Sequence, residues 1–76
     1  MADRTIIEFY STRKVGQRIG FVLAIETDAP PPANGSLVNI KGEDHLVLDV
    51  QYSIDQPTYG PKTYRRNVIM RLKDAE

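Results

Sequence analysis

Apolar residues fall on every second position from Leu46 through Leu48, Val50 and Tyr52 to Ile54, with His45, Asp49, Gln51, Ser53 and Asp55 among the positions between them. That is the period of a strand with one buried face. Val38 and Ile40 follow the same rule upstream, and the polar, glycine-containing segment Lys41 to Asp44 is short enough to turn the chain back. Ser36 to Asp55 therefore reads as a hairpin around which the rest is organised.

Three further strands are expected. Thr5 to Ser11 is rich in β-branched and aromatic residues, which suit a pleated surface. Arg18 to Thr27 sets Ile19, Phe21, Leu23 and Ile25 on one face and Gly20, Val22, Ala24 and Glu26 on the other. Tyr64 to Lys73 sets Val68, Met70 and Leu72 inward. Between them, Thr12 to Gln17 suits an exposed turn, and the three prolines of Asp28 to Asn34 forbid ladder hydrogen bonds and favour a stiff crossing loop. Gln56 to Thr63 carries two prolines and a glycine and reads as irregular. No segment has a sustained helical pattern, so helix is limited to at most one turn near Pro32 to Asn34.

Five sequential strands with short connections predict an all-β fold. The expected form is a small five-stranded antiparallel meander, either an SH3-like barrel or a curved open sheet, with little or no helix. Its core is expected to draw on Ile19, Phe21, Leu23, Val38, Ile40, Leu48, Val50 and Met70. The opposite phase holds Ile6, Tyr10, Val22, Ala24, Val47 and Ile69, more apolar surface than a lone barrel needs. A second copy of the chain is the simplest cover for such a face.

Size sharpens that expectation. The 76 residues form a single small domain, with residues 1–4 and 74–76 free to fray, and a domain of this size hides only about 60% of its unfolded surface. The chain has no cysteine, so no disulfide or thiolate metal site supplements the core. Ten basic and ten acidic residues cancel, leaving no general field for nucleic acid or an anionic membrane. No run approaches the roughly 20 apolar residues that cross a bilayer, and Asp3 and Glu8 interrupt the N-terminus where a signal peptide would be apolar. A cytoplasmic protein without membrane contact is expected.

Candidate chemistry is sparse. His45 is the single histidine, and its phase puts it on the outer face near the turn, beside Glu43 and Asp44; an exposed turn residue accounts for it better than a metal ligand or acid–base group. Ser11, Ser36 and Ser53 sit in ordinary strand or loop contexts without a nucleophile elbow. The two glycines Gly16 and Gly20 precede a strand, whereas a phosphate-cradling loop opens a helix. The expectation is no enzyme activity, no metal and no cofactor.

The most distinctive cluster is Tyr59, Lys62, Tyr64, Arg65 and Arg66, two tyrosines interleaved with three cations. Guanidinium groups clamp carboxylates or phosphates, and tyrosines anchor protein interfaces or stack on bases. If the turn after the first strand lies on the same side, Arg13, Lys14 and Arg18 extend this patch. The Pro30 to Pro32 run could be read as a polyproline ligand, but a rigid connection explains it better, since no second PxxP spacing or flanking arginine accompanies it.

The stretch from Pro30 to Asp55 resembles the opening of many small β-barrel proteins, a likeness carried by Gly35, Val38, Ile40, Gly42, Val47 and Val50. Short, cysteine-free all-β chains of this kind are similar in class to proteins of phages and other mobile elements, some of which act as inhibitors or sequestering proteins. The expected function is a non-catalytic interaction module that forms a homo-oligomer and binds a protein partner, with a structural role in a larger assembly also open. The alternative is a binder of a nucleotide or single-stranded nucleic acid through the Tyr/Arg loop.

Overall fold

A computed structural model describes residues 3–12 and 18–74. Five strands form: β1 (Arg4–Thr12), β2 (Gly20–Glu26), β3 (Leu37–Ile40), β4 (Glu43–Asp55) and β5 (Thr63–Leu72). They lie in one sheet of order β2-β1-β5-β4-β3, curled into a half-barrel, with no helix among the described residues. The β3–β4 hairpin forms as its alternation requires, around a two-residue turn in which Lys41 and Gly42 both have positive φ, 53° and 84°. This turn matches the twist of the strands it joins, and glycine adopts its second position without a steric cost.

The sheet is mixed, which corrects the expectation of a sequential antiparallel meander. β1 pairs in parallel with β5, from Arg4 opposite Thr63 to Thr12 opposite Arg71, while the other three pairs are antiparallel. The first and last strands thus sit together in the middle, β2 and β3 become the two edges, and the proline-bearing loop must pass from one edge to the other. Arg66 fastens that loop: its Nη1 donates to the Ala29 carbonyl and its Nη2 to the Thr27 carbonyl, both at 2.7 Å.

Two irregularities decide which side chains enter the core. Opposite β5, Val47 pairs with Met70 and Asp49 with Ile69, so Leu48 is an extra residue; opposite β1, Leu23 pairs with Phe9 and Phe21 with Tyr10, so Val22 is extra. Each bulge shifts the phase of its strand by one. The core is consequently Ile7, Phe9, Ile40, Val47, Val68 and Met70, with Val22, Leu23, Val38 and Val50 packed against it. Of the expected core, Ile40 and Met70 are buried, whereas Ile19, Phe21 and Leu48 are 45%, 61% and 46% exposed. Val47, assigned by simple alternation to the outer face, is only 1% exposed, and Ile6 is also buried.

Candidate functional site

The Tyr/Arg cluster does not assemble into one patch. Arg65 and Arg66 are adjacent on β5, so they point to opposite faces of the sheet. Arg66 is 9% exposed and its terminal nitrogens are spent on the crossing loop. Arg65 lies on the convex face, paired with Glu8 of β1 and, at 2.5 Å, with Asp55 of β4. Its neighbour Tyr10 donates to Glu8 at 2.5 Å. That bond and the Arg65 pair hold the Glu8 carboxyl below its ordinary pKa. The same bond to Glu8, with some burial, raises the Tyr10 phenol, and Asp55 and Glu8 raise the Arg65 guanidinium further.

The remaining residues are scattered. Tyr59 is fully open at 91% exposed, Tyr64 and Lys62 are half-buried, and the Lys62 amide donates to Asp3 Oδ1 at 2.9 Å. Arg18 is exposed; Arg13 and Lys14 lie outside the described residues. Because β1 and β5 run parallel and β2 is antiparallel to β1, Arg18 before β2 lies at the end of the sheet opposite to the loop before β5. The nine residues from Arg4 to Thr12 separate them by roughly 25 to 30 Å at the rise of a strand. Arg18 therefore cannot extend the Tyr59 to Lys62 surface.

The structure does bring together residues that sequence distance kept apart. Ser11 Oγ and His45 Nδ1 are 2.7 Å from each other, reaching across β5 over the concave face. His45 is 6% exposed, which corrects its expected place on the outer face: the bulge at Leu48 puts His45 and Val47 in phase with the core. A buried imidazole requires a partner, and Ser11 supplies it. The pair lies in a pocket of about 330 Å³ at the end where β1, β3 and β5 finish and β2 and β4 begin, lined also by Gly20, Val22, Ile40 and Leu72, with Lys41 and Glu43 at its exposed rim. No alternation in the sequence could have announced this pair, because the two residues are 34 positions apart and their meeting depends on the bulge and the parallel pairing. Among the described residues no group of three or more histidine, aspartate or glutamate side chains could hold a metal ion.

Large apolar side chains are also left exposed along the sheet margins. Ile19, Phe21 and Ile25 line the β2 edge, while Leu48, Tyr52 and Ile54 lie on β4. β3 pairs with β4 only from Glu43 to Leu46, so from Asp49 to Asp55 one edge of β4 carries no paired strand among the described residues. Among those residues no helix is long and apolar enough to cross a membrane. Comparison of the chain with protein-family models, curated proteins and solved structures finds no match.

Proposed function

We propose that this chain is a non-catalytic β interaction module that self-associates along the β2 edge and binds a protein partner along the free half of β4. The supporting observation is the concentration of exposed apolar side chains on unpaired sheet margins, Ile19, Phe21 and Ile25 on one and Tyr52 and Ile54 on the other. Soluble β proteins normally blunt such edges with charge or proline. Between Arg18 and Glu26 the β2 segment has neither.

The two margins suit different occupants. β2 is an edge strand whose apolar stretch Phe21 to Ile25 has one side unpaired among the described residues, so a second copy can add antiparallel along it. The same operation on β4 about Tyr52 sets Asp49 against Asp55, like charges that disfavour a second copy. A partner with cations beside an extended apolar segment fits β4 better, and its strand would add to the sheet. An inhibitor or sequestering protein of the mobile-element kind works by occupying a surface in this way, and a cysteine-free chain gains nothing from an oxidising compartment, which favours the cytoplasm.

The nucleotide or nucleic-acid alternative requires a joint array of Tyr59, Lys62, Tyr64, Arg65 and Arg66. Arg66 is buried and Arg65 is neutralised by two carboxylates, so that array offers little to a phosphate. The test is solution mass by light scattering over a concentration series. A dimer or larger species that Ala24→Lys converts to a folded monomer is expected. A wild-type chain that stays monomeric at every concentration overturns self-association, and one whose assembly ignores Ala24→Lys overturns the β2 assignment.

A further inference from the structure

We infer that the pocket at the Ser11–His45 end of the half-barrel is a binding site for a small neutral ring compound with one hydrogen-bonding head, of the phenol or azole kind. The pocket shares Gly20, Phe21 and Val22 with the β2 strand proposed above for self-association, while its polar floor, Ser11 and His45, lies on β1 and β4. Its size, about 330 Å³, is at the small end of ligand pockets. The walls contributed by Val22, Ile40 and Leu72 are aliphatic, matching a compact apolar body. Among the described residues the rim carries Lys41 and Glu43, one charge of each sign, and a neutral ligand gives up no solvated charge on entering.

The floor supplies the polar recognition. Ser11 Oγ and His45 Nδ1 share a single hydrogen at 2.7 Å. When His45 carries its proton on Nε2, the Ser11 hydroxyl donates to Nδ1 and turns its lone pairs outward as an acceptor. When the proton is on Nδ1, the imidazole donates to Ser11 and the serine O–H is released to donate. One pair thus meets either a donor or an acceptor on the ligand by exchanging tautomer, with no movement of heavy atoms. Burial of His45 fixes the geometry of that exchange.

Gly20 leaves the site open. Its φ is not in the left-handed region, and a Cβ built there meets only the Ser11 carbonyl oxygen, at 4.0 Å. Nothing in the backbone demands glycine at this position, and a larger side chain on this strand would enter the pocket it lines.

The experiment is an amide chemical-shift titration of the full chain with phenol and, separately, toluene, which replaces the hydroxyl by a methyl group at nearly constant shape. Phenol is expected to give saturable shifts at Ser11, Gly20, His45 and Leu72 in the millimolar range, and to bind at least five-fold more tightly than toluene. Gly20→Val should abolish those shifts while keeping the dispersed spectrum of the folded chain, and Ser11→Ala should reduce the preference for phenol over toluene to less than two-fold. Absence of saturable shifts at these residues, equal binding of the two probes, or full binding by folded Gly20→Val overturns the assignment. Should Gly20→Val fail to fold, the phenol-to-toluene ratio of wild type against Ser11→Ala decides alone, an unchanged ratio counting against the site.

Discussion

Arg66 shows how a single side chain can be spent on the fold. Its two Nη groups hold the Ala29 and Thr27 carbonyls, and its burial leaves the charge dependent on them. Hydrogen bonds from a charged donor contribute about 1.5 to 3 kcal/mol each. Arg66→Met should therefore lower unfolding free energy by about 3 kcal/mol, read as a reduced urea midpoint, because the crossing loop loses both anchors. Arg66→Lys recovers little, since an ammonium lacks the planar fork that reaches two carbonyls at once. Glu8 makes a second case. Its folded pKa lies below the ordinary value of 4.5, through Tyr10 first and Arg65 second. A depressed carboxyl pKa gives stability that is full above the unfolded value and is lost as pH falls through the folded one. The stability difference between wild type and Glu8→Gln should accordingly be constant near neutral pH and shrink below about 4.5. Tyr10 has a raised pKa, so its share is full below the ordinary value of 10.0 and is lost as pH rises through the folded value.

At the scale of elements, the bulges govern what each strand contributes. Val47 packs fully inside while Leu48, one residue on, stands half open. Val47→Ala should cost about 2 kcal/mol and Leu48→Ala less than about 0.5 kcal/mol in equilibrium unfolding. An uninterrupted alternation along β4 would reverse that ranking, so the pair measures the bulge directly. The hairpin turn offers a change in the other direction. Lys41 occupies φ 53°, a region where asparagine is better accommodated than a long side chain. Lys41→Asn should raise stability by about 0.5 to 1 kcal/mol, checked by thermal unfolding. Edge strand β2 carries its own consequence: a lysine at exposed Ala24 adds a charge to the margin without removing a packed group, and the solution mass should fall.

The whole molecule is a single curled sheet with a loop as its second layer, and its shape reflects that thinness. The Cα radius of gyration is 13.6 Å and the long dimension 45 Å, against about 11 Å expected for the radius of a compact chain of this length. Surplus surface of this kind is what edge pairing would bury. The parallel β1–β5 ladder joins the two ends of the chain: Lys62 bonds back to Asp3 across 59 positions. Closing so long a loop before the contacts reward it is slow, so folding should fall in the range of milliseconds to seconds in stopped-flow fluorescence or dichroism. A chain ending at residue 62 keeps the whole hairpin sequence yet lacks the strand on which both β1 and β4 pack. Its circular dichroism should show no cooperative thermal transition.

Period two in Thr5 to Ser11, in Arg18 to Thr27, in the central hairpin and in Tyr64 to Lys73 was enough to determine five strands and the all-β class, because strand formation follows local pattern and turn chemistry. Proline placement likewise determined which segments join them. Strand order, the parallel central pair and the two bulges were decided only in three dimensions, since each depends on which distant strand supplies the next ladder of hydrogen bonds. The site followed the same division. Tyr59 was legible as an exposed aromatic, but the fates of Arg65 and Arg66 hung on which face and which neighbours β5 received. Ser11 and His45 became partners because curling of the sheet brought β1 and β4 together over β5, a contact that no local run of residues encodes.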